Sequence, residues 1–412
     1  MLQPLLLLKQ SMEVAYDPDP LLLDGPHVAF TSLGQFLSKG RTKTSQVDQF
    51  EVVLGAPSTD SEFESESESI LKVDVRFLFK RTKPRAESLS AQVMVRSAAG
   101  ARWITLDLAS EKALRRLSRF SSGLQVLNEH RDSLRHEVVW FEDNGEFTII
   151  SNTEALEWAR TILHLPGHRG HRERRYPISK VTRDRAGGVS VVGPMTPYAA
   201  SLLSEWKKQV RDRAAKESSK RRARESLAIV MDGLKRLGLS WKVAAVAANA
   251  AELELRVGRL PKPQQGGAQD FVDIADVGFG VSQVLPVLVA LAAALPGQLV
   301  LIEQPELHLH PRGQLAMGRL LAEAAERGVI VVVETHSQLI LRALQTVVAR
   351  GELPSEDVGL HWFSRDPETG WSTVTLAELH DDGTFGDWPV DFPDVFAMAD
   401  QDFIDAVFGD DE

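Results

Sequence analysis

The chain has 412 residues, 43% hydrophobic and 25% charged, enough apolar material for the core of one large domain with insertions or of two. Its 57 acidic against 47 basic residues give a net charge of -10 and a pI near 5.7, which excludes nucleic-acid binding by overall field but not by a local basic patch. The absence of cysteine excludes a disulfide framework, a thiol nucleophile and a zinc–thiolate site and suits a reducing, cytoplasmic compartment. The apolar runs Leu5–Leu8 and Val284–Leu295 are too short to span a bilayer, so neither membrane insertion nor secretion is expected.

The opening "MLQPLLLLKQSM" sets Leu2, Leu5, Leu6 and Leu8 at helical spacing, places Pro4 where a first turn tolerates it, and turns polar at Lys9 and Gln10. It reads as a helix already buried at residue 1, or as a docked amino-terminal helix. Residues 15–40, rich in Pro, Gly and Asp, read as a loop with short extended pieces, and the acidic, Ser-rich run Ser58–Ser69 as an exposed loop. Period-two alternation over Leu71, Val73, Val75, Phe77 and Phe79 predicts a half-buried antiparallel strand, continued by "AQVMVR" and "RWITLDL". Asn144-Gly145 between two apolar runs predicts a hairpin.

From Pro197 to Leu237 the pattern is helical and basic, with Lys207, Lys208, Arg211, Arg213, Lys216, Lys220, Arg221, Arg222 and Arg224 in one stretch. It fits a solvated helical arm or a surface for a nucleic-acid backbone. The segment His164–Pro177, with its Pro, Gly and Arg, reads as a loop near phosphates or between domains.

The chemistry concentrates between Asp276 and Gln338. Leu299–Ile302 is a continuous apolar run expected of a buried parallel strand, and it delivers Glu303 and Glu306 at its carboxyl end. Val329–Val333 repeats the design and ends in Glu334, Thr335 and His336, with a helical stretch closed by Gly328 between the two. A carboxylate at such a tip suits magnesium beside a nucleotide phosphate. Glu306, His308 and His310 alternate as metal ligands on a strand do, but Pro305 and Pro311 argue against regular strand there and so against zinc. Upstream, Gly278 and Gly280 precede Ser282, Gln283 and an apolar helix, as in a phosphate-binding helix start or a Gly-rich turn capped by Ser282.

In this order and spacing the elements resemble the second half of an ABC or SMC-type ATPase head, and more specifically the AAA-annotated ATPases related to the overcoming-lysogenization-defect proteins. "GFGVSQVLP" stands at the signature motif, "LVLIEQPE" at the Walker B strand, "LHLHP" at the D-loop and "ETHSQ" at the switch histidine; "DDGTFGDWPVDF" resembles a carboxyl-terminal segment of one branch. The resemblance is strong over Asp276–His336 and thin from Glu51 to Leu260. It implies an α/β P-loop NTPase with an antiparallel β arm and a helical insertion, divided as a remnant of the first ATPase lobe (1–50), β arm and linking segments (51–196), basic helical insertion (197–240) and second ATPase lobe (241–412).

It also implies ATP and Mg2+ as cofactors, Glu303 as the magnesium residue, His336 at the γ-phosphate, and Gly278, Gly280, Ser282 and Gln283 against the nucleotide of an opposing subunit. Gln35 is implied as a Q-loop residue. Gln304 stands where the family carries its catalytic glutamate; a carboxamide accepts no proton, so Glu306 supplies a base or Gln304 only orients water. No G-x-x-x-x-G-K-[ST] occurs in the 412 residues, and the helix at Met1 resembles the one that follows such a loop, so an upstream loop and strand are expected to be missing. The implied partners are a second copy, paired head to tail, and a nuclease or other effector, since no separate acidic cluster of a nuclease domain is apparent here. The competing expectation is a non-enzymatic scaffold with a degenerate head that binds nucleic acid or protein through Lys207–Arg224.

Overall fold

A computed structural model describes residues 3–13, 21–37, 47, 49–54, 73–81, 89–97, 104–107, 125–129, 136–141, 147–151, 158–169, 173–183, 188–259, 270–386 and 394–408. The chain divides into two compact units, one of residues 1–162 with 367–371 and one of 163–366 with 372–412.

In the first unit, α1 (Gln3–Glu13) buries Leu6 and Leu8 as its spacing predicts, together with Leu7 and Met12, which that reading left out; Leu5 is only half-buried, and Leu2 lies outside the described residues. Lys9 and Gln10, read as the polar turn of that helix, are instead fully buried. Both are satisfied internally, which is what permits it. Lys9 Nζ lies 2.6 Å from Glu13 and donates to the Arg160 carbonyl at 3.1 Å. Gln10 donates to the Leu22 and Val28 carbonyls and accepts the His27 and Val28 N–H groups. A Cβ on Gly25 would lie 2.7 Å from Gln10 Cδ, so a larger residue there would push the carboxamide off its hydrogen bonds.

The short helix α2 (Leu33–Phe36) follows, then an antiparallel meander of β1 (Gln49–Leu54), β2 (Val73–Arg81), β3 (Leu89–Ser97) and β4 (Ile104–Asp107). A second antiparallel sheet holds β5 (Gln125–Glu129), β6 (His136–Phe141) and β7 (Phe147–Ser151). Phe141 pairs with Phe147, so the two runs flanking Asn144-Gly145 do form a hairpin, while that dipeptide and Ser58–Ser69 lie outside the described residues.

The second unit is α/β, with a parallel sheet. It begins with β8 (Leu163–Leu165), β9 (Tyr176–Pro177), β10 (Thr182–Arg183) and β11 (Val189–Ser190), so the head of the segment read as a loop is a buried strand. Then come α3 (Ala199–Arg211), α4 (Glu217–Arg236), β12 (Val243–Ala247), β13 (Glu252–Gly258), β14 (Phe271–Asp273), α5 (Phe279–Ala293) and β15 (Leu299–Glu303). The chain continues through α6 (Pro311–Glu326), β16 (Ile330–Glu334), α7 (Gln338–Ala349), β17 (Leu360–Arg365), β18 (Ser372–Ala377) and α8 (Asp394–Phe408).

The parallel sheet has the order β16-β15-β8, and β15-α6-β16 is the strand–helix–strand unit expected from sequence. Helix α5 is apolar nearly all round and lies in the core, as an unpatterned apolar helix must. The basic stretch is not wholly a solvated arm: α4 turns Ala223, Ser226, Val230, Gly233 and Leu234 inward. Ser226 Oγ donates to the Ala292 carbonyl at 3.0 Å, and a Cβ on Gly233 would come within 2.7 Å of Leu288, so α4 and α5 are in close contact there. β15 is buried through Leu299–Ile302, but β16 departs from the buried strand expected. Only Val329, just before it, is buried; Ile330 is exposed and Val331–Val333 are half-buried, because β16 is an edge strand paired to β15 alone among the described residues.

Candidate functional site

The carboxyl tips of the parallel strands converge. Glu303 is level with Glu334 on β16, and Ile302 with Leu165 on β8. Immediately after β15 the chain turns sharply: Gln304 has φ 45° and His308 φ 64°, both left-handed, while Gln304 N–H donates to the Glu334 carbonyl at 2.7 Å. Two non-glycine residues in that region mark a turn held by its surroundings.

The Glu303 carboxylate is the centre of this edge. His164 Nε2 lies 3.0 Å from Oε1, and the Gly167 N–H donates to Oε2 at 2.8 Å. The His164 hydrogen bond, working against burial and helped by the Gly167 amide and the Arg169 charge, holds the carboxyl below its ordinary range. Glu303 is therefore ionised, and its side chain is 33% exposed.

Beneath it lies Arg169, the largest fully buried side chain of the described residues. Its guanidinium donates to the Glu303 carbonyl, to the Gln304 carbonyl at 2.8 Å, to Pro166 O at 2.8 Å and to Gln283 O at 3.1 Å. Burial pulls its pKa down to about 10 against the opposing charges of Glu303 and Glu306, so it remains a cation at neutral pH. Gln283 faces inward, its Oε1 accepting the Arg169 N–H at 3.0 Å.

Glu306 joins the two tips. Its Oε1 accepts the His336 N–H at 2.8 Å, whereas its Oε2 is buried and has no hydrogen-bond partner among the described residues. The His336 residue is exposed. Ser337 caps α7 by accepting the Ile340 N–H and donates to Gln314 at 2.7 Å.

The start of α5 adjoins this turn. The ring of Phe279 stacks on His308 with centroids 5.5 Å apart, and a Cβ on Gly280 would meet the His308 carbonyl at 3.3 Å. Gly278 is the helix N-cap and supplies no side-chain cap; Ser282 lies one turn in and donates to the Phe279 carbonyl at 3.0 Å, so the capped-turn alternative does not hold. The structure thus gathers Glu303, Gln304, Glu306 and the His336 backbone, with Gly280 and Gln283 adjoining. Gly278 has open space around it. Gln35 lies in the first unit, in α2, with its side chain accepting the Thr31 N–H at 2.8 Å. His164, Gly167 and Arg169 escaped the sequence reading; the apolar "LHL" before Pro166-Gly167 was their only trace.

Among the described residues no three His, Asp or Glu side chains cluster as a metal cage. Nor is any described helix long and apolar enough to cross a membrane.

Residues 171–342 match the family described as "AAA domain, putative AbiEii toxin, Type IV TA system". No curated protein matches the chain. Solved structures similar to it include an SMC head bound to the C-winged helix domain of ScpA, at 11% identity over 74% of this chain and 75% of that one, with a TM-score of 0.35. The SMC head domain from Thermotoga maritima overlaps at 11% identity over 70% and 75% of the two chains, TM-score 0.28. A head with an extended coiled coil, bound to the C-terminal domain of ScpA derived from Pyrococcus furiosus, overlaps at 12% identity over 74% and 77%, TM-score 0.30. The family match supports a nucleotide-binding ATPase domain in the second unit.

Proposed function

We propose that the chain is the ATP-binding and ATP-hydrolysing head of an ABC/SMC-like ATPase that works by ATP-dependent pairing of two heads. What carries this reading is the junction of the β15 and β16 tips, where an ionised Glu303 and a Glu306 bonded to the His336 backbone lie on the sheet edge at which open parallel sheets bind ligands. Magnesium fits the donor set: two of the roughly four acceptor sites on the Glu303 carboxylate are used, and Glu306 Oε2 is buried with spare acceptor capacity. Glu303 would hold the ion through its water. Bound there, magnesium would neutralise phosphate charge.

His336 would contact the γ-phosphate, and Gln304 would orient the attacking water without taking its proton. Glu306, two residues on, would serve as base. The uncapped amides at the start of α5, with Gly278, Gly280 and Ser282, would face the nucleotide of the opposing copy, while Gln283 acts through Arg169. The phosphate-wrapping loop is not encoded in these 412 residues, so ATP bound to this chain alone is expected to be weak, with a dissociation constant above roughly 1 mM. Relaxation of ATP protons by Mn2+, used as a magnesium reporter, tests the site at such affinities: the chain should alter it and Glu303→Gln should abolish the change. An unchanged signal in the variant would remove Glu303 from the site, and micromolar Mg2+-dependent affinity would show the loop to be dispensable.

A second reading, a scaffold that binds a nucleic-acid backbone, is favoured by one observation. Lys207 has its pKa lowered by burial and then by the like charges of Arg211 and Lys242, a crowding of cations that an anion would relieve. By contrast, Arg221 and Arg224 pair with Glu225 and Glu217 on α4 itself. Charge neutralisation at Lys207, Arg211 and Lys242 should then flatten the salt dependence of DNA retention; unaltered retention would discard this reading.

A further inference from the structure

Helix α5 carries Pro286 in its interior, and a proline has no N–H to give the Ser282 carbonyl one turn earlier. Both residues line a small cavity together with Arg169, Tyr176 and Thr196, and the rest of its wall is apolar. The cavity measures about 10 Å³, room for a single water molecule.

The polar groups on this wall have hydrogen-bonding capacity to spare. Thr196 is 5% exposed, and its Oγ1 is buried without a hydrogen-bond partner among the described residues. A hydroxyl left in that state costs more stability than a methyl group in its place. Arg169 offers a donor: of its five N–H groups, the contacts to Gln283, Pro166, Glu303 and Gln304 use four and leave one on Nη2. Burial, followed by the charges of Asp273 and Glu173, pushes the Tyr176 phenol up to about 12, so it keeps its proton and is a further donor. The Ser282 carbonyl supplies the acceptor.

We infer that this cavity binds one resident water molecule, which donates to the Ser282 carbonyl, shares a hydrogen bond with Thr196 Oγ1 and accepts from Arg169 Nη2. Three hydrogen bonds are typical of a buried water. Arg169 is 1% exposed and out of reach of bulk solvent, so the molecule belongs to the fold and not to the hydration layer. It stands in for the N–H that Pro286 lacks, and it ties the first turn of α5 to the single turn Thr196–Tyr198 and to the guanidinium beneath the strand tips. Charge selects a neutral ligand: Arg169 repels a cation, and Glu303 and Glu306 already balance it against an anion. The site neither needs nor touches nucleotide, so it stands or falls apart from the ATP chemistry proposed above.

Crystals of the chain grown in bromide test the site directly, because a halide would show itself by anomalous scattering. A peak without anomalous signal is expected within hydrogen-bond reach of both Thr196 Oγ1 and the Ser282 carbonyl. A dry cavity, or an anomalous peak in it, would overturn the inference. Thr196→Val keeps the side-chain shape and removes the hydroxyl, so its stability in a urea titration carries a sign that depends on the water. With water bound, the variant loses a satisfied hydrogen bond, and its folding equilibrium constant should fall about three- to tenfold. Without water, the substitution relieves an unpaired hydroxyl, so unchanged or raised stability would also overturn the inference.

Discussion

Arg169 should be the residue on which the strand-tip edge most depends. Its guanidinium makes four donor contacts, to the carbonyls of Pro166, Gln283, Glu303 and Gln304, in a place where water does not reach. Hydrogen bonds from a charged donor contribute about 1.5–3 kcal/mol each. Burial of the cation, visible in a pKa pulled down to about 10, offsets much of that sum. Arg169→Ala would remove the donor and leave buried carbonyls unpaired, for a net loss on the order of 3–5 kcal/mol. For a unit of this size that is a fall in melting temperature of roughly 6–20 °C. Arg169→Lys keeps the charge but offers one nitrogen in place of a fork, and should recover less than half of the loss. Thermal unfolding at pH 7 followed by circular dichroism measures both. An alanine variant melting within about 2 °C of the parent would refute the clamp.

Glu303 gives a pH signature: its folded pKa lies below the ordinary glutamate value of 4.5, so its contribution to stability is complete above that value and is lost as pH falls through the folded pKa. Urea midpoints between pH 3 and 6 should show this loss, and His164→Phe should reduce it. In the first unit, burial alone would raise the Glu13 carboxyl, but the His27 hydrogen bond and Lys9 hold it down to about 2, so stability there should decline from pH 4.5 towards 2 and Glu13→Gln should blunt that decline. Gly318 is packed so that a Cβ would fall 2.6 Å from Ala343 Cβ and 2.9 Å from the Ile340 carbonyl; Gly318→Ala should cost about 1–3 kcal/mol in a denaturant titration, and a neutral result would mean that α6 and α7 separate readily.

The β15-α6-β16 unit was legible because continuous apolar runs bounded by charge have few other solutions, and its tip residues Glu303, Glu306 and His336 came with it. β8 was not, since three residues are too few for periodicity to register and its partner lies far along the chain. Arg169 sits in a run of Arg, His and Gly that composition assigns to the surface, and only the convergence of four carbonyls makes its burial tolerable. Lys9 and Gln10 misled in the same way, because the groups that satisfy them come from Glu13, Arg160 and residues 22–28. The partial exposure of β16 follows from its pairing with β15 alone among the described residues, which its own valines do not encode.

The clamp on Glu303 also sets a schedule for synthesis. His164 and Glu303 are 139 residues apart, so at roughly 5–20 residues per second β8 leaves the ribosome on the order of 7–30 seconds before its partner exists. During that interval the leucines of β8 and the guanidinium of Arg169 have no native neighbours on β15, and a nascent-chain holdase would find them exposed. The strand-tip edge can therefore be assembled only late in translation, whatever the speed at which the local strand–helix–strand unit closes.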